Sequence, residues 1–415
     1  MNATGQTENL SVSEAEAQLK QLEVRAVFDL SLGMMKGNPE EGLFRMLESY
    51  LLEQLGISHL SLFYLKEGRL SNSFVHGKMA ADWKSIPLPK PESQAQRLPD
   101  FLPEFHHVNP HLDWIIPIGL DGRSEGILLC QRPDYSDENN AKSAISLLRN
   151  LFSLMLMARE NQKLVSYRIR QESMRKEMEI ARQVQAMLFP AQLPQNDQLH
   201  AYASYIPHQE VSGDYYDFIS LADGDFAFCV ADVSGKGIPA ALLMSNFQAC
   251  LRTLMMDFSD LSDVVKKLNR HLGSCSRGER FITAFLGVYR QKDKTLSYVN
   301  CGHIPPFLLS NSGDITLLAE GCTLLGIFDE LPDLKVGAAI VSDGSLLAVF
   351  TDGLPEMENE VGEEFGEDRL SRFFLENRHE KMPVMHQRLL NRLDAFSGPD
   401  GFGDDLTLFT LKFGN

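Results

Sequence analysis

Apolar residues along the first fifty positions recur every third or fourth residue. Val24, Val27, Phe28, Leu32 and Met35, then Leu43, Met46, Leu47 and Leu51, form two such series and predict two helices between residues 13 and 55. The period changes at 59–65, where Leu60, Leu62 and Tyr64 alternate with Ser61 and Phe63 and predict a strand. Residues 79–112, rich in Pro, Gln and charge, predict an irregular excursion. Strands return at 113–118 and 126–131, with Asp121-Gly122 as the hairpin signal between them. From 136 to 188 there is neither Pro nor Gly, which predicts one long helix. Within it Leu164, Tyr167, Gln171, Met174, Met178, Ala181, Gln185 and Leu188 are spaced alternately by three and four. That is the seam of a coiled coil, weakened by its two Gln. It reads equally as one amphipathic helix packed on the domain that follows. Pro190 ends the helix, because proline cannot continue it and restricts the residue before it.

From residue 198 the pattern is strand-rich. Apolar runs at 200–206, 214–220, 226–231, 281–289, 296–300, 306–309, 346–350 and 406–413 predict strands. Helical periodicity interrupts them at 239–256 and 261–272, and again at 367–376 and 384–395. Many strands with helices in pairs suggest two packed sheets flanked by helices. The face Ala240, Leu243, Met244, Phe247, Leu251 and Leu254 of the first of these helices is apolar at helical spacing, and core packing is its default role.

Length and charge narrow this picture. The chain has 415 residues, enough for two or three domains, and a formal net charge of −17. Such an acidic chain is not suited to non-specific binding of nucleic acid or anionic membrane. The six cysteines form no CxxC pair and read as reduced, mostly buried thiols. The first residues are polar and lack a signal-peptide core, and the apolar stretch 147–158 is too short to span a bilayer and is broken by Arg149. The expectation is a soluble cytoplasmic protein without membrane insertion.

The candidate chemistry lies in four aspartates, each in a loop-like setting at the edge of an apolar run. They are Asp214, Asp232, Asp352 and Asp404. Carboxylates at the ends of buried strands can converge on one or two hard cations. Hard divalent metals take oxygen ligands, so an all-Asp set without His or Cys points to Mg²⁺ or Mn²⁺ rather than Zn²⁺. Any one of these residues alone reads as a turn residue, since Asp-Gly and Gly-Asp mark turns. Gly235 and Gly237 do not have phosphate-loop spacing. Lys236 reads as a solvated lysine, with contact to a substrate phosphate as the sharper alternative. His303, in a Gly-His-Ile-Pro-Pro turn, reads as a loop organiser, with general acid as the alternative. His106 and His107 read as exposed polar residues.

Five ordered motifs carry a resemblance. They are Asp214-Tyr215-Tyr216-Asp217-Phe218, Asp232 through Ala241, Asn300 through Pro306, Thr351-Asp352-Gly353 and Asp404-Asp405-Leu406-Thr407. Together they resemble the PPM-type metal-dependent serine/threonine phosphatases of the bacterial SpoIIE/RsbU branch. Glu179 through Gln185 with Leu188-Phe189-Pro190 resembles the helix that precedes this catalytic domain, so the match runs over about residues 175–415. It implies an α-β-β-α layered β-sandwich with a two-metal site (Mn²⁺ or Mg²⁺) at one end. By the resemblance Asp232 would ligate both ions, Asp214 one side, Asp352 and Asp404 the other, with the Val233 carbonyl as an extra ligand. Asp405 and Asp217 are weaker candidates. A metal-activated water would attack phosphoserine or phosphothreonine, and the implied substrate is a phosphorylated STAS-domain anti-sigma-factor antagonist. In that branch the helices near 239–256 link regulatory input to the metal site, so a shift at Phe247 or Leu251 would alter metal affinity. The chain departs from the pattern at Ser212-Gly213, where Gly-Gly is usual, and shows no obvious phosphate-binding arginine near Asp214.

The N-terminal order of helix, strands, hairpin and exit helix resembles a GAF domain, an α/β sensor fold. The resemblance rests on Gly126-Ile127-Leu128-Leu129 and a helix through Ala158-Arg159-Glu160-Asn161. The expected layout is a polar tail or helix start at 1–19, a GAF-like domain at 20–160, a helical linker at 161–190 through which the chain would homodimerise, and the phosphatase domain at 191–415. The competing readings are a catalytically degenerate phosphatase fold acting as a scaffold, and a nucleotide cyclase, for which no nucleotide-binding motif is present.

Overall fold

The computed structural model describes residues 12–53, 55–66, 69–77, 94–120, 123–133, 138–276, 278–398 and 402–414. The chain divides into two units, residues 1–171 and 172–415. In the first unit the helical series become α1 (Val12–Met35) and α2 (Glu40–Glu53). They are followed by β1 (Leu60–Lys66), β2 (Arg69–His76), β3 (Gln96–Arg97), α3 (Leu98–Phe101), α4 (Pro103–Val108), β4 (Trp114–Leu120) and β5 (Arg123–Cys130). The strands form one antiparallel sheet of order β2-β1-β5-β4-β3.

Both faces of that sheet are buried, as the mixed apolar alternation of β1 requires. Leu60, Leu62 and Tyr64, with Ile116, Ile118, Leu128 and Cys130, pack in one cluster with Leu47 and Leu51 of α2 and with Leu148, Leu151 and Phe152. Phe63, Ile115, Ile127 and Leu129 pack on the other side with Leu98 and Phe105. The expected irregular excursion is therefore corrected in part. Pro at the first turns of α3 and α4 starts helices there instead of breaking them. Residues 78–93 lie outside the described residues, and so does the Asp121-Gly122 turn, although Leu120 pairs with Arg123 on either side of it. His106 is half-buried, with Nδ1 2.7 Å from the Leu112 carbonyl, and His107 is exposed.

The long helix is α5 (Glu138–Ala186), 49 residues without interruption. The seam changes character along it. Leu164, Tyr167 and Met174 are more than half exposed, whereas Gln185 is buried. Among the described residues no helix is long and apolar enough to cross a membrane.

The second unit contains β6 (Gln195–Asn196), β7 (Leu199–Ile206), β8 (Tyr215–Ser220), β9 (Phe226–Val233), α6 (Ile238–Met256), α7 (Leu261–Ser276), β10 (Ile282–Arg290) and β11 (Thr295–Cys301). Then come β12 (Phe307–Leu309), β13 (Ile315–Leu317), β14 (Gly321–Cys322), β15 (Gly337–Ile340), β16 (Leu346–Phe350), α8 (Glu367–Asn377), α9 (Met382–Ser397) and β17 (Leu406–Phe413). One sheet has the order β14-β11-β10-β9-β8, with β15 also on β11, and the other has the order β13-β12-β16-β17-β7-β6.

Period-two alternation decides which side chains meet. In β9, Phe226, Phe228 and Val230 join Phe409, Leu411 and Phe413 of β17 in the cluster between the sheets. The odd residues Ala227, Cys229, Ala231 and Val233 instead join Met244, Phe247 and Leu251 of α6 and Leu268 of α7. Leu406 and Leu408 face the opposite way, onto Phe373 and Phe374 of α8 and Leu389 of α9. The result is four layers, helix, sheet, sheet, helix. Phe228 and Phe409 stack across the middle with centroids 5.9 Å apart. Each such buried ring contributes roughly 2–3 kcal/mol of transfer free energy. Cys130, Cys229 and Cys301 are buried, Cys250 and Cys322 half-buried, and Cys275 is exposed.

Candidate metal centre

The alternation that builds the sandwich also builds the site. Asp232 continues the inward series Phe226, Phe228, Val230 at the end of β9, and Asp214 precedes the inward Tyr216 and Phe218 of β8. On the facing sheet Thr351 follows the inward Leu347 and Val349, and Asp405 and Thr407 precede the inward Phe409. Five polar residues of inward parity therefore meet at one end of the sandwich, where the aromatic filling stops.

Direct contacts bear this out. The Thr351 and Thr407 hydroxyls both donate to Asp214 Oδ2, at 2.8 and 2.6 Å. The Asp214 N–H donates to Ser212 Oγ at 3.0 Å. Two glycines allow the approach. A Cβ on Gly213 would stand 2.8 Å from the Val233 carbonyl oxygen, and one on Gly353 would stand 2.0 Å from the Asp405 carbonyl oxygen. Main chain thus meets main chain on both sides of the site.

The electrostatics are those of too many negative charges in one place. Burial, and then the Asp232 charge, push Asp214 well above the usual carboxylate range. Asp232 is pushed up to about 7 by burial and then by Asp352 and Asp404. Asp352 is raised by burial and by Asp404. Glu356, which sequence reasoning missed, is raised by burial and by Asp352. The Lys236 ammonium answers part of this charge, 3.0 Å from Asp404 Oδ2 and 3.1 Å from the Gly403 carbonyl. An all-oxygen cluster that cannot hold its own charge, and that draws in a lysine, fits hard divalent cations. No three His, Cys, Asp or Glu among the described residues already close on a common point as a ligand set.

The predicted residues divide accordingly. Asp214, Asp232, Asp352, Asp404 and Asp405 share one cluster, and the Val233 carbonyl borders it at Gly213. Asp405 is already engaged. Its Oδ1 accepts the His208 N–H at 2.8 Å and its Oδ2 the Gly213 N–H at 3.2 Å, which pins the loop before Asp214. Asp217 lies apart, three residues from Asp214 and so on the other face of its strand. There it takes both Nε and a terminal nitrogen of Arg252 at 2.8 Å and the Tyr215 hydroxyl at 2.5 Å. His303 is buried and lowered to about 4 by desolvation, so it is neutral near pH 7. Its backbone N–H donates to Asn300 Oδ1 at 2.8 Å and its ring Nδ1 lies 3.3 Å from Thr283 Oγ1. Sequence reasoning also missed Arg280, which donates to the Ser234 carbonyl at 2.8 Å in the loop just after Asp232.

Residues 222–414 match the family model described as stage II sporulation protein E (SpoIIE). The match lies within the C-terminal unit, which is similar over this span to SpoIIE-type domains. Over 194 residues the chain is 34% identical to phosphoserine phosphatase RsbU of Bacillus subtilis (strain 168), covering 46% of this chain and 57% of RsbU. It is 27% identical over 305 residues to protein IcfG of Synechocystis sp. (strain ATCC 27184 / PCC 6803 / Kazusa), covering 66% of this chain and 47% of IcfG. The SiaA PP2C domain of Pseudomonas aeruginosa superposes with a TM-score of 0.53 at 19% identity, over 59% of this chain and 98% of that domain, which shows a shared fold. The chain spans about half the length of the curated relatives it matches.

Proposed function

We propose that this chain is a metal-dependent protein serine/threonine phosphatase that hydrolyses phosphoserine or phosphothreonine on a regulatory protein, in our reading a STAS-domain anti-sigma-factor antagonist. The observation that carries this is the convergence of Asp214, Asp232, Asp352 and Asp404 at one end of the sandwich, with Asp232 pushed up to about 7. Those four carboxylates and the Val233 carbonyl would hold two divalent ions, Mn²⁺ or Mg²⁺. Bound there, such ions supply Lewis acidity to a phosphate ester and to water. The chain's own residues do the rest. Thr351 and Thr407 fix the Asp214 carboxylate, Asp405 fixes the loop that delivers it, and the aromatic interior closes the site from below. Lys236 and Arg280 place cationic groups at the loop after Asp232, where a phosphate would approach. His303, buried and neutral, organises its turn.

The N-terminal unit acts in this proposal as a GAF-like sensor. The five-stranded antiparallel sheet between helical layers supports that reading. The exposed Leu164, Tyr167 and Met174 support homodimerisation along α5.

The test is hydrolysis of p-nitrophenyl phosphate by the full chain with Mn²⁺, Mg²⁺ or EDTA, beside Asp232→Asn. Turnover that requires the metal and falls to the EDTA level in the variant is the expected result. A wild-type chain that neither binds Mn²⁺ by calorimetry nor turns over would favour the scaffold.

A further inference from the structure

We propose that Gln185 is a positioning residue for Asp214, which makes the last turn of α5 part of the metal-site machinery. This rests on the metal-phosphatase reading above. Gln185 is 6% exposed, while Arg182, Gln183, Val184, Ala186 and Met187 around it are all exposed. A buried primary amide is costly unless it is fully bonded. Here it is bonded to a single residue: its Nε2 donates to the Ser212 carbonyl at 2.7 Å, and its Oε1 accepts the Ser212 N–H at 3.2 Å. Ser212 is itself fully buried and belongs to no strand, so the carboxamide stands in for the neighbouring strand it lacks. The same serine then accepts the Asp214 N–H on its Oγ. The sequence helix–Gln185–Ser212–Asp214 is therefore a continuous set of hydrogen bonds.

This accounts for two oddities of the sequence. A Gln interrupts the apolar seam because that position must bond a backbone rather than fill a core. A Ser stands where the resembled pattern has Gly because its hydroxyl holds Asp214. The loop 207–213 is thus fixed from two sides, by Asp405 just before β17 and by Gln185 from α5. Only the second fixing point sits on a helix that continues into residues 138–171. A displacement of α5 would reach Asp214 through one side chain.

The experiment compares full-length wild type with Gln185→Ala and Gln185→Asn, and with Gln183→Ala as an exposed control on the same turn. Gln185→Asn keeps a buried amide but is one methylene too short to span. Three quantities are read: Mn²⁺ affinity by calorimetry, kcat and KM for p-nitrophenyl phosphate, and amide hydrogen exchange of residues 205–216. Both Gln185 variants are expected to bind Mn²⁺ about ten-fold more weakly. Their kcat should fall with KM for the ester little changed, and exchange should quicken in that segment alone. Gln183→Ala should match wild type. Unchanged Mn²⁺ affinity, or exchange that rises uniformly over the whole unit, overturns the proposal. Wild type that binds no Mn²⁺ overturns the phosphatase reading instead. The exchange data then judge the clamp alone, and an unchanged 205–216 segment in Gln185→Asn overturns it.

Discussion

His386 shows how a single buried residue couples this fold to pH. Its ring is 1% exposed, held with Nδ1 2.8 Å from Ser204 Oγ and Nε2 2.9 Å from Thr410 Oγ1, and edge-on to Tyr202. Burial lowers its pKa to about 3. An unfolded histidine titrates near 6.5. Between those values the unfolded chain takes up a proton that the folded chain refuses, so stability is full above about pH 6.5 and declines as pH falls, by up to roughly 1.4 kcal/mol per unit. Asp214, Asp232 and Asp352, raised above the usual carboxylate range, act with the opposite sign in the same window, so the histidine is read by difference. In urea denaturation, wild type should lose more stability (or gain less) between pH 7.5 and 5 than His386→Gln does. His303 acts with the same sign and keeps a residual slope. The acidic residues of the site were legible because aspartate at the end of an apolar run has no packing reason to be there. The groups that orient them were not: threonine in a strand reads as an ordinary strand former, so nothing in the sequence marks Thr351 or Thr407 as donors to Asp214. Asp217 could have been assigned from alternation, since an offset of three places it on the face opposite Asp214.

The contact between β8 and α6 is the clearest case of two elements held by one ion pair. Asp217 on β8 is fully buried and Arg252 on α6 is partly exposed. Removing the guanidinium leaves a buried carboxylate with only Tyr215 and a backbone N–H. Arg252→Ala should cost about 2 kcal/mol or more, at the lower end for a buried pair because the arginine is partly wet. In a unit of this size that lowers the melting temperature by roughly 4–8 °C, which a circular dichroism melt would register. The other long strands and helices were readable because their periods persist for two or more repeats, but the eight-residue β2 was missed, because its Ser71-Asn72-Ser73 run shows no apolar alternation. The strands β6, β13, β14 and β15 were not, because two to four residues establish no period and are placed by their partners. The helices α3 and α4 were hidden for a different reason, their proline content having been read as a break when each proline occupies a first turn.

At the scale of the whole molecule, each unit carries its own buried clusters. Those of the first lie among residues 26–158 and those of the second among residues 199–413. Residues 172–415 expressed alone should therefore unfold in one cooperative thermal transition. A broad, non-cooperative melt would mean that the first unit is needed to complete the fold. The four-layer order was legible as many strands with helices in pairs, but which sheet each strand joined was not, because register depends on residues far apart in the chain. The two glycine contacts at the site have a further consequence. Where backbone rests on backbone at Gly213 and Gly353, the spacing of neighbouring strand ends within each sheet, β8 beside β9 and β16 beside β17, is gauged by peptide groups, whose size no substitution alters. The rings and aliphatic chains behind that gauge are free to be exchanged for others of similar volume over long divergence, while the spacing of Asp214 from Asp232 in one sheet, and of Asp352 from Asp404 in the other, stays where the peptides set it.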